Sequence, residues 1–239
     1  MPSGLAGGYS YEGDSFTIKL TFYEPIYTVT VTPSSQGIPQ GCNHDFEVTV
    51  TPLDPDIKGF VDLRWPEELK KQGIHGTFKS GGGTPPLTDT LTVYVEPWVP
   101  TGSYTTQVIA HDGIAGKDFL SSMVTINVEA SGFDVTVEGV NPFSTPIQQG
   151  TSQEYKIEVT PLTCYSAEMG LYWRPTSGDF CGIGVEMPGG IDPSQGVMMV
   201  INVGSGAALG PREMDICVFD GNLKQEFCCH VTFVVEPPP

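Results

Sequence analysis

The amino-acid sequence carries one stretch twice, and this repeat constrains the fold more than any other feature. Residues 40–53 read QGCNHDFEVTVTPL, and residues 149–162 read QGTSQEYKIEVTPL, so the second copy begins 109 residues after the first. Self-similarity at a fixed period indicates a repeated structural unit. In a chain of 239 residues, this period predicts two domains, residues 26–130 and 131–239, each long enough to bury its own core.

Within each unit, apolar and polar residues alternate over short segments. In residues 60–65 (FVDLRW), for example, apolar positions 61, 63 and 65 alternate with charged ones. Alternation with period two is the pattern of a strand with one buried face. About seven such segments per unit, roughly a dozen residues apart, predict antiparallel β-sandwiches. Between them we expect residues 33–41 to form a turn region and residues 66–86 to be irregular, and no segment has a helical period.

Several motifs resemble a known family. Residues 100–113 (PTGSYTTQVIAHDG), the strand ending at Trp65, and the paired VTVTP and QG segments resemble the immunoglobulin-like repeats of prokaryotic surface proteins. Gly102 and Tyr104 match the G-x-Y segment that opens the penultimate strand in that family. The second unit departs from the pattern, because Arg212 stands where Tyr104 stood. The resemblance implies a sandwich fold and an extracellular or cell-surface setting.

The N-terminal segment has a strand pattern of its own. Residues 16–23 (FTIKLTFY) alternate strictly and are similar to the end of both repeats, and Gly7-Gly8 falls about where the Asp112-Gly113 turn falls in the first unit. We expect residues 1–25 to be a strand donated to a neighbouring molecule, or the remnant of a preceding repeat. The predicted fold is therefore all-β, two tandem immunoglobulin-like antiparallel sandwiches preceded by an extra N-terminal strand. The apolar residues of this inter-subunit strand are Phe16, Ile18, Leu20 and Phe22.

Strand alternation predicts one disulfide in the second unit. In the penultimate strand the apolar neighbours point inward, so Cys217 points outward, and in the last strand Cys228 points outward while Cys229 points inward. Adjacent antiparallel strands would bring Cys217 and Cys228 within bridging distance on the same face. We expect Cys229 to be a buried free thiol.

The remaining cysteines are assigned from their position in the chain. Cys164 and Cys181 lie in neighbouring loops, and we expect them to form the second bridge. Cys42 is the single cysteine of its unit, and it is expected to be free or to bond another chain. No C-x-x-C is present, so zinc-ribbon and thioredoxin-type sites are disfavoured. Disulfides indicate an oxidising compartment.

The composition disfavours several classes of partner. The formal net charge is −17, from 28 acidic residues against 11 Lys and Arg. Nucleic acids and anionic membranes need a clustered positive surface, so neither is an expected partner. No run of 18 apolar residues is present, so no segment is expected to insert into a bilayer. The first ten residues lack the basic start and apolar centre of a secretion signal.

The sequence shows no pattern of catalytic residues. The four histidines are scattered and no G-x-S-x-G occurs, so an enzyme is disfavoured and no cofactor is expected. Calcium is the one ion for which the sequence offers candidate ligands, because carboxylates in loops supply the hard oxygen atoms that it prefers. The candidate ligands lack dense D-x-D-x-D spacing; they are Asp54, Asp56, Asp112 and Asp118.

Two hypotheses about function follow. The first is a non-catalytic extracellular structural protein, a subunit or segment of a surface filament, stalk or layer. Its partners are then copies of the same chain associated head-to-tail, for which the N-terminal strand is the candidate contact, or flanking repeats of a longer chain. Strand addition to an exposed sheet edge is a known route to such assembly. The alternative is an adhesin, or a spacer or ligand-binding module of a larger surface protein, with Trp98 as a possible ligand contact.

Overall fold

The computed structural model describes residues 26–57, 59–138 and 146–239, together with the backbone of residues 7–11 and 14–18. The chain forms two tandem β-sandwiches, preceded by a hairpin of two short strands. Among the described residues, no helix is long and apolar enough to cross a membrane. The predicted all-β class with two tandem sandwiches is the observed one.

The strands follow in chain order. The N-terminal hairpin consists of β1 (Gly7–Tyr11) and β2 (Asp14–Ile18). The first sandwich comprises β3 (Tyr27–Thr32), β4 (Ser35–Pro39), β5 (Asn43–Pro52), β6 (Val61–Arg64), α1 (Glu67–Lys71), β7 (Ile74–Phe78), β8 (Gly82–Gly83), β9 (Leu87–Val95), β10 (Gly102–Thr106), β11 (Ile109–Asp112), β12 (Lys117–Leu120) and β13 (Val124–Glu129). The second comprises β14 (Phe133–Glu138), β15 (Pro146–Gln148), β16 (Ser152–Pro161), β17 (Met169–Ser177), β18 (Ile183–Glu186), β19 (Gly190–Ile191), β20 (Val197–Val203), β21 (Gly210–Asp220) and β22 (Gln225–Glu236).

Each sandwich packs its sheets over a core of alternating apolar residues, with three sheets in the first and two in the second. In the first, the order β3-β5-β9-β7 faces the strands β12-β11-β6-β8 and β10-β13-β4. In the second, β14-β16-β20-β18 faces β15-β22-β21-β17-β19. The inward residues of β5 and β9, including Val48, Leu91 and Val93, are fully buried. The period-two pattern of the sequence therefore corresponds to the inner faces of the sheets.

The expected turn region at residues 33–41 is a strand for part of its length. β4 runs parallel to the last strand of the unit, with Ile38 opposite Val128, and Ile38 is fully buried. β15 pairs in parallel with β22 in the same way. Gly and Pro are tolerated here because the strand lies at the edge of its sheet. Local composition suggested a turn, and the distant partner strand makes the segment extended.

The expected irregular stretch at residues 66–86 contains α1, β7 and β8. Acidic Glu67 opens the helix and basic Lys70 lies in its last turn, which complements the helix dipole. The two side chains form an ion pair one turn apart. Buried Leu69 fixes the helix against the sandwich, and the indole N–H of Trp65 donates to the carbonyl of Ile74 at 3.0 Å. Five residues are too few to show a helical period in the sequence.

Arg212 takes over the structural role of Tyr104. The hydroxyl of Tyr104 donates to the carbonyl of Pro100 at 2.9 Å, four residues earlier. In the second sandwich the Arg212 guanidinium donates to the carbonyl of Ala208, also four residues earlier, and to that of Pro211. Arg212 is only 3% exposed. The departure from the family pattern therefore keeps the same hydrogen bond with a different donor.

The N-terminal hairpin differs in detail from the expected single strand. β1 pairs antiparallel with β2, from Gly7 opposite Ile18 to Tyr11 opposite Asp14. Gly7 and Gly8 thus lie in a strand, and the equivalence to the Asp112-Gly113 turn was wrong. Of the predicted inter-subunit residues, Phe16 and Ile18 lie on β2, whereas Leu20 and Phe22 lie outside the described residues.

Candidate functional site

A disulfide joins the two sandwiches. Cys42, immediately before β5, is bonded to Cys164 in the loop after β16, with the Cα atoms 5.7 Å apart. The expected bridge between Cys164 and Cys181 is therefore wrong, and Cys181 is a free, exposed thiol. Cys42 is neither free nor bonded to another chain. The sequence could not reveal this pair, because its members are 122 residues apart and meet only when the sandwiches stack.

Hydrogen bonds through the linker, residues 130–132 between β13 and β14, reinforce this contact. The hydroxyl of Ser131, which is 3% exposed, donates to the carbonyl of Gln40 at 2.5 Å. Its backbone N–H points to the Gln40 side-chain oxygen at 3.4 Å, and the Thr163 hydroxyl lies 3.0 Å from that of Ser131. The amide of Gln40 in turn donates to the carbonyl of Val99 at 2.7 Å. We call residues 40–42, Ser131 and residues 163–165 the junction.

Tyr165 completes the junction by lying over Gly41. A side chain at Gly41 would overlap the Tyr165 ring, and Gly41 also has a φ of +74°, so both sterics and backbone conformation require glycine there. The Tyr165 hydroxyl is 3.3 Å from a carboxylate oxygen of Asp220 and accepts from the Asn222 amide at 3.1 Å. Burial raises the pKa of Tyr165, and the nearby Asp220 acts in the same direction. The ring is thus held neutral and in place.

The turn before β5 that carries the junction, residues 40–42, has a counterpart before β16, residues 149–151. We call each of these turns a corner. In the second sandwich the Gln149 amide donates to Ala207 at 2.6 Å, as Gln40 donates to Val99. The N–H of Gly150 donates to Val203 at 2.8 Å, matching Gly41 and Val95. Thr151 occupies the place of Cys42, and its carbonyl accepts from Val203 at 2.9 Å just as that of Cys42 accepts from Val95. No atom lies near the position of a side chain at Gly150, so this second corner is uncovered.

The second disulfide lies within one sheet. Cys217 and Cys228 are directly opposite each other on β21 and β22 and are bonded, with a Cα separation of 4.1 Å. This is the pair that strand alternation indicated. Cys229 is free and half-buried, and burial raises the pKa of its thiol. Glu226 is close to both bonded sulfurs, but a disulfide leaves no thiolate for a metal.

An ion-pair cluster lies beside this bridge on the outer face of the second sandwich. Arg174 contacts Asp215 at 3.2 Å and Glu226 at 3.1 Å, and a ring nitrogen of His230 lies 2.9 Å from Asp215. The hydrogen bond with His230, together with Arg174, lowers the pKa of Asp215. Asp215 and His230 are opposite each other in the ladder. The sequence alone did not point to this cluster, although the register that pairs the two cysteines also pairs these residues.

The calcium candidates are engaged in their own turns and pairs. A carboxylate oxygen of Asp54 accepts the N–H of Asp56 at 2.9 Å. Asp112 accepts the N–H groups of residues 114 and 115, and Asp118 lies 2.7 Å from a ring nitrogen of His111. Each of these three carboxylates therefore already has a hydrogen-bond partner, in its own turn or on the neighbouring strand. The structure does not bring the two loops together into one ligand set among the residues it describes.

Trp98 lies in the connection between β9 and β10 and is 55% exposed. One edge of its ring rests on Gly73, which has a φ of +86° and no side chain to obstruct it. The next residue, Val99, is fully buried and supplies the carbonyl that holds Gln40. Trp98 therefore presents an indole face beside the loop that supports the junction.

No protein-family model matches the sequence, and no curated protein is similar to it. Among solved structures, domains 4–9 of the surface layer protein SbsC align over 94% of this chain with 16% identity and a TM-score of 0.32, and this chain spans 33% of that chain. Fibronectin(III)-like modules of Clostridium thermocellum CbhA align over 88% of this chain and 95% of theirs, with 12% identity and a TM-score of 0.31. Domains 4 and 5 of SbsC give 12% identity and a TM-score of 0.35, covering 88% of this chain and 96% of that one. At these values no role is carried over from those proteins.

Proposed function

We propose that this chain is a non-catalytic structural segment of an extracellular or cell-surface protein, in which two sandwiches form a stiff rod. The observation that carries the proposal is the junction. A covalent bridge, a buried serine in the linker and an aromatic ring packed on glycine all fix one sandwich relative to the next. Such fixation serves a spacer or a wall component, whereas independent modules joined by linkers are expected to move.

The location is tested by immunogold labelling of intact source cells with an antibody raised against the purified protein. We expect label on the outer surface, along a layer, fibre or stalk. Label confined to the interior of sectioned cells would contradict the proposal. A pre-absorbed antibody serves as the control.

We further propose that copies associate head-to-tail through the N-terminal segment. Its support is the alternating pattern of residues 16–23 and the extended backbone of residues 14–18, which pair on one side with β1 of the same chain and have no second strand partner among the described residues. Burying an apolar side chain of this kind contributes about 1.5–3 kcal/mol, so four would suffice for stable association. Electron microscopy at neutral pH should show filaments of the full chain and only monomers of a form lacking residues 1–23. Monomers in both samples would exclude strand donation.

The alternative, an adhesive module, rests on Trp98. An indole with half of its surface exposed beside a rigid loop is a suitable stacking platform for a sugar ring. A glycan-array signal of the wild type that disappears in Trp98→Ala would favour this alternative. Since Leu53 is similarly exposed at 56% but aliphatic, Leu53→Ala is the matched control and should retain binding.

A further inference from the structure

The bridge at the junction is an addition to the repeated corner and is not needed to build it. The corner of the second sandwich makes the same backbone and glutamine hydrogen bonds with Thr151 in the place of Cys42. In the first unit, Pro55 stands at the position that corresponds to Cys164. The two cysteines therefore occur only where the sandwiches meet. What the bridge determines is the relation between the sandwiches rather than the fold of either one.

Without the bridge, the junction is held by few contacts. The hydrogen bonds that cross it run through Ser131 of the three-residue linker, to Gln40 on one side and Thr163 on the other. The Tyr165 ring also packs on Gly41, and its hydroxyl interacts electrostatically with Tyr94 of the first sandwich. Contacts of this kind between domains permit relative motion by default. A crosslink that closes a 122-residue span removes that freedom.

The bridge is also open to chemical attack on one side. Cys164 is exposed, whereas Cys42 is only 2% exposed. Thiol–disulfide exchange proceeds by attack of a thiolate on an accessible sulfur. Because Cys164 is the exposed residue of the pair, we expect attack at its sulfur, with the sulfur of Cys42 as the leaving group.

We propose that the Cys42–Cys164 disulfide is a redox-operated lock on the angle between the two sandwiches. When the bond is intact, the sandwiches move as one body. When an external dithiol reduces it, they hinge about residues 130–132. This inference rests on the proposed structural role, because it states how the stiffness of the rod is regulated.

The exchange balances as a two-electron reaction. A thiolate of the dithiol bonds to the Cys164 sulfur, the S–S bond breaks, and Cys42 leaves as a thiolate that takes up a proton. The second thiol of the reductant, as thiolate, then displaces Cys164 from the mixed disulfide. The products are two protein thiols and the cyclic disulfide of the reductant.

The test compares Cys42→Thr/Cys164→Ser with Cys217→Ser/Cys228→Ser. Threonine is the residue that the second corner itself carries, and the control removes a bridge that lies within one sheet. The measurements are the distribution of inter-domain distances from small-angle X-ray scattering and the rate of limited proteolysis within residues 130–132. We expect the junction variant to show a broadened distribution and about tenfold faster cleavage, since local opening controls proteolysis. The control variant should match the wild type.

A second measurement covers the case in which the junction variant does not fold. In the Cys217→Ser/Cys228→Ser protein only the junction bridge remains to be reduced, so dithiothreitol acts on it alone. Reduction should reproduce the broadening and the faster cleavage, and reoxidation should reverse both. Unchanged scattering and cleavage after reduction, with thiol titration showing the bond open, would overturn the lock. Because the protein is measured in solution, this outcome would leave the surface location untouched, and interior immunogold label would refute that location without bearing on the lock.

Discussion

The sharpest prediction concerns two glycines in equivalent corners, Gly41 and Gly150. Their φ angles are +74° and +77°, and their N–H groups donate to equivalent carbonyls at 2.8 Å. Their surroundings differ, because Gly41 lies under the Tyr165 ring and Gly150 has open space beside it. Alanine at Gly150 therefore measures only the backbone cost of adding a side chain, whereas alanine at Gly41 adds the cost of disturbing the junction.

Alanine at either position occupies the left-handed region, at a cost of about 1–2 kcal/mol. Gly41→Ala must in addition displace the buried Tyr165 ring, and forcing an extra methyl into packed surroundings costs a further amount of about 1–3 kcal/mol. The effect of the substitution on the unfolded chain is common to both variants and cancels in the comparison. We expect Gly41→Ala to be the more destabilising of the two by that second amount.

The assay is urea unfolding at neutral pH, followed by calorimetry of both variants and the wild type. At constant m-value, the shift of each variant's midpoint from that of the wild type, multiplied by m, gives its loss in free energy of unfolding. The difference between the two losses is the cost of moving the ring. A third variant combines Gly41→Ala with Tyr165→Ala, which removes the ring that the new methyl group would meet. In this background, Gly41→Ala should cost less free energy of unfolding than it does in the wild type, because only the backbone cost remains. Equal midpoints for Gly41→Ala and Gly150→Ala would refute the packing of Tyr165 on Gly41.

Three further predictions follow from single side chains. Of the two free thiols, the exposed Cys181 should react rapidly with a maleimide. The half-buried Cys229 should react slowly, because burial raises the pKa of its thiol. Equal reaction rates, measured by mass spectrometry, would contradict this. Arg212→Met should cost about 1–3 kcal/mol of the free energy of unfolding, since it leaves two carbonyls without their donor, while Arg212→Tyr should restore part of it, as measured by urea midpoints. Because the pKa of Asp215 is lowered in the folded state, its ionised carboxylate stabilises the fold at pH values above the unfolded pKa near 3.9. This stabilisation is lost as the pH falls through the folded pKa, so melting temperatures between pH 5 and pH 2 should fall more for the wild type than for Asp215→Asn. Parallel curves would refute the role of the His230 contact.

Much of the architecture follows from the sequence because it depends on short-range periodicity. Alternation with period two marks the faces of each strand, and the same alternation brought Cys217 and Cys228 to opposite positions on one face. The repeat predicted two similar sandwiches. These features need only neighbouring residues, or neighbouring strands, to be defined.

Only the tertiary structure determined what lies between distant segments. Ser35–Pro39 is extended because β13 lies beside it, and a strand partner 90 residues away leaves no local signal. The same holds for Cys42 and Cys164: loop proximity suggested Cys181 as the partner, but the stacking of one sandwich on the next brings Cys42 closer. The sequence by itself determined the two units, and the way they pack on each other determined the junction between them.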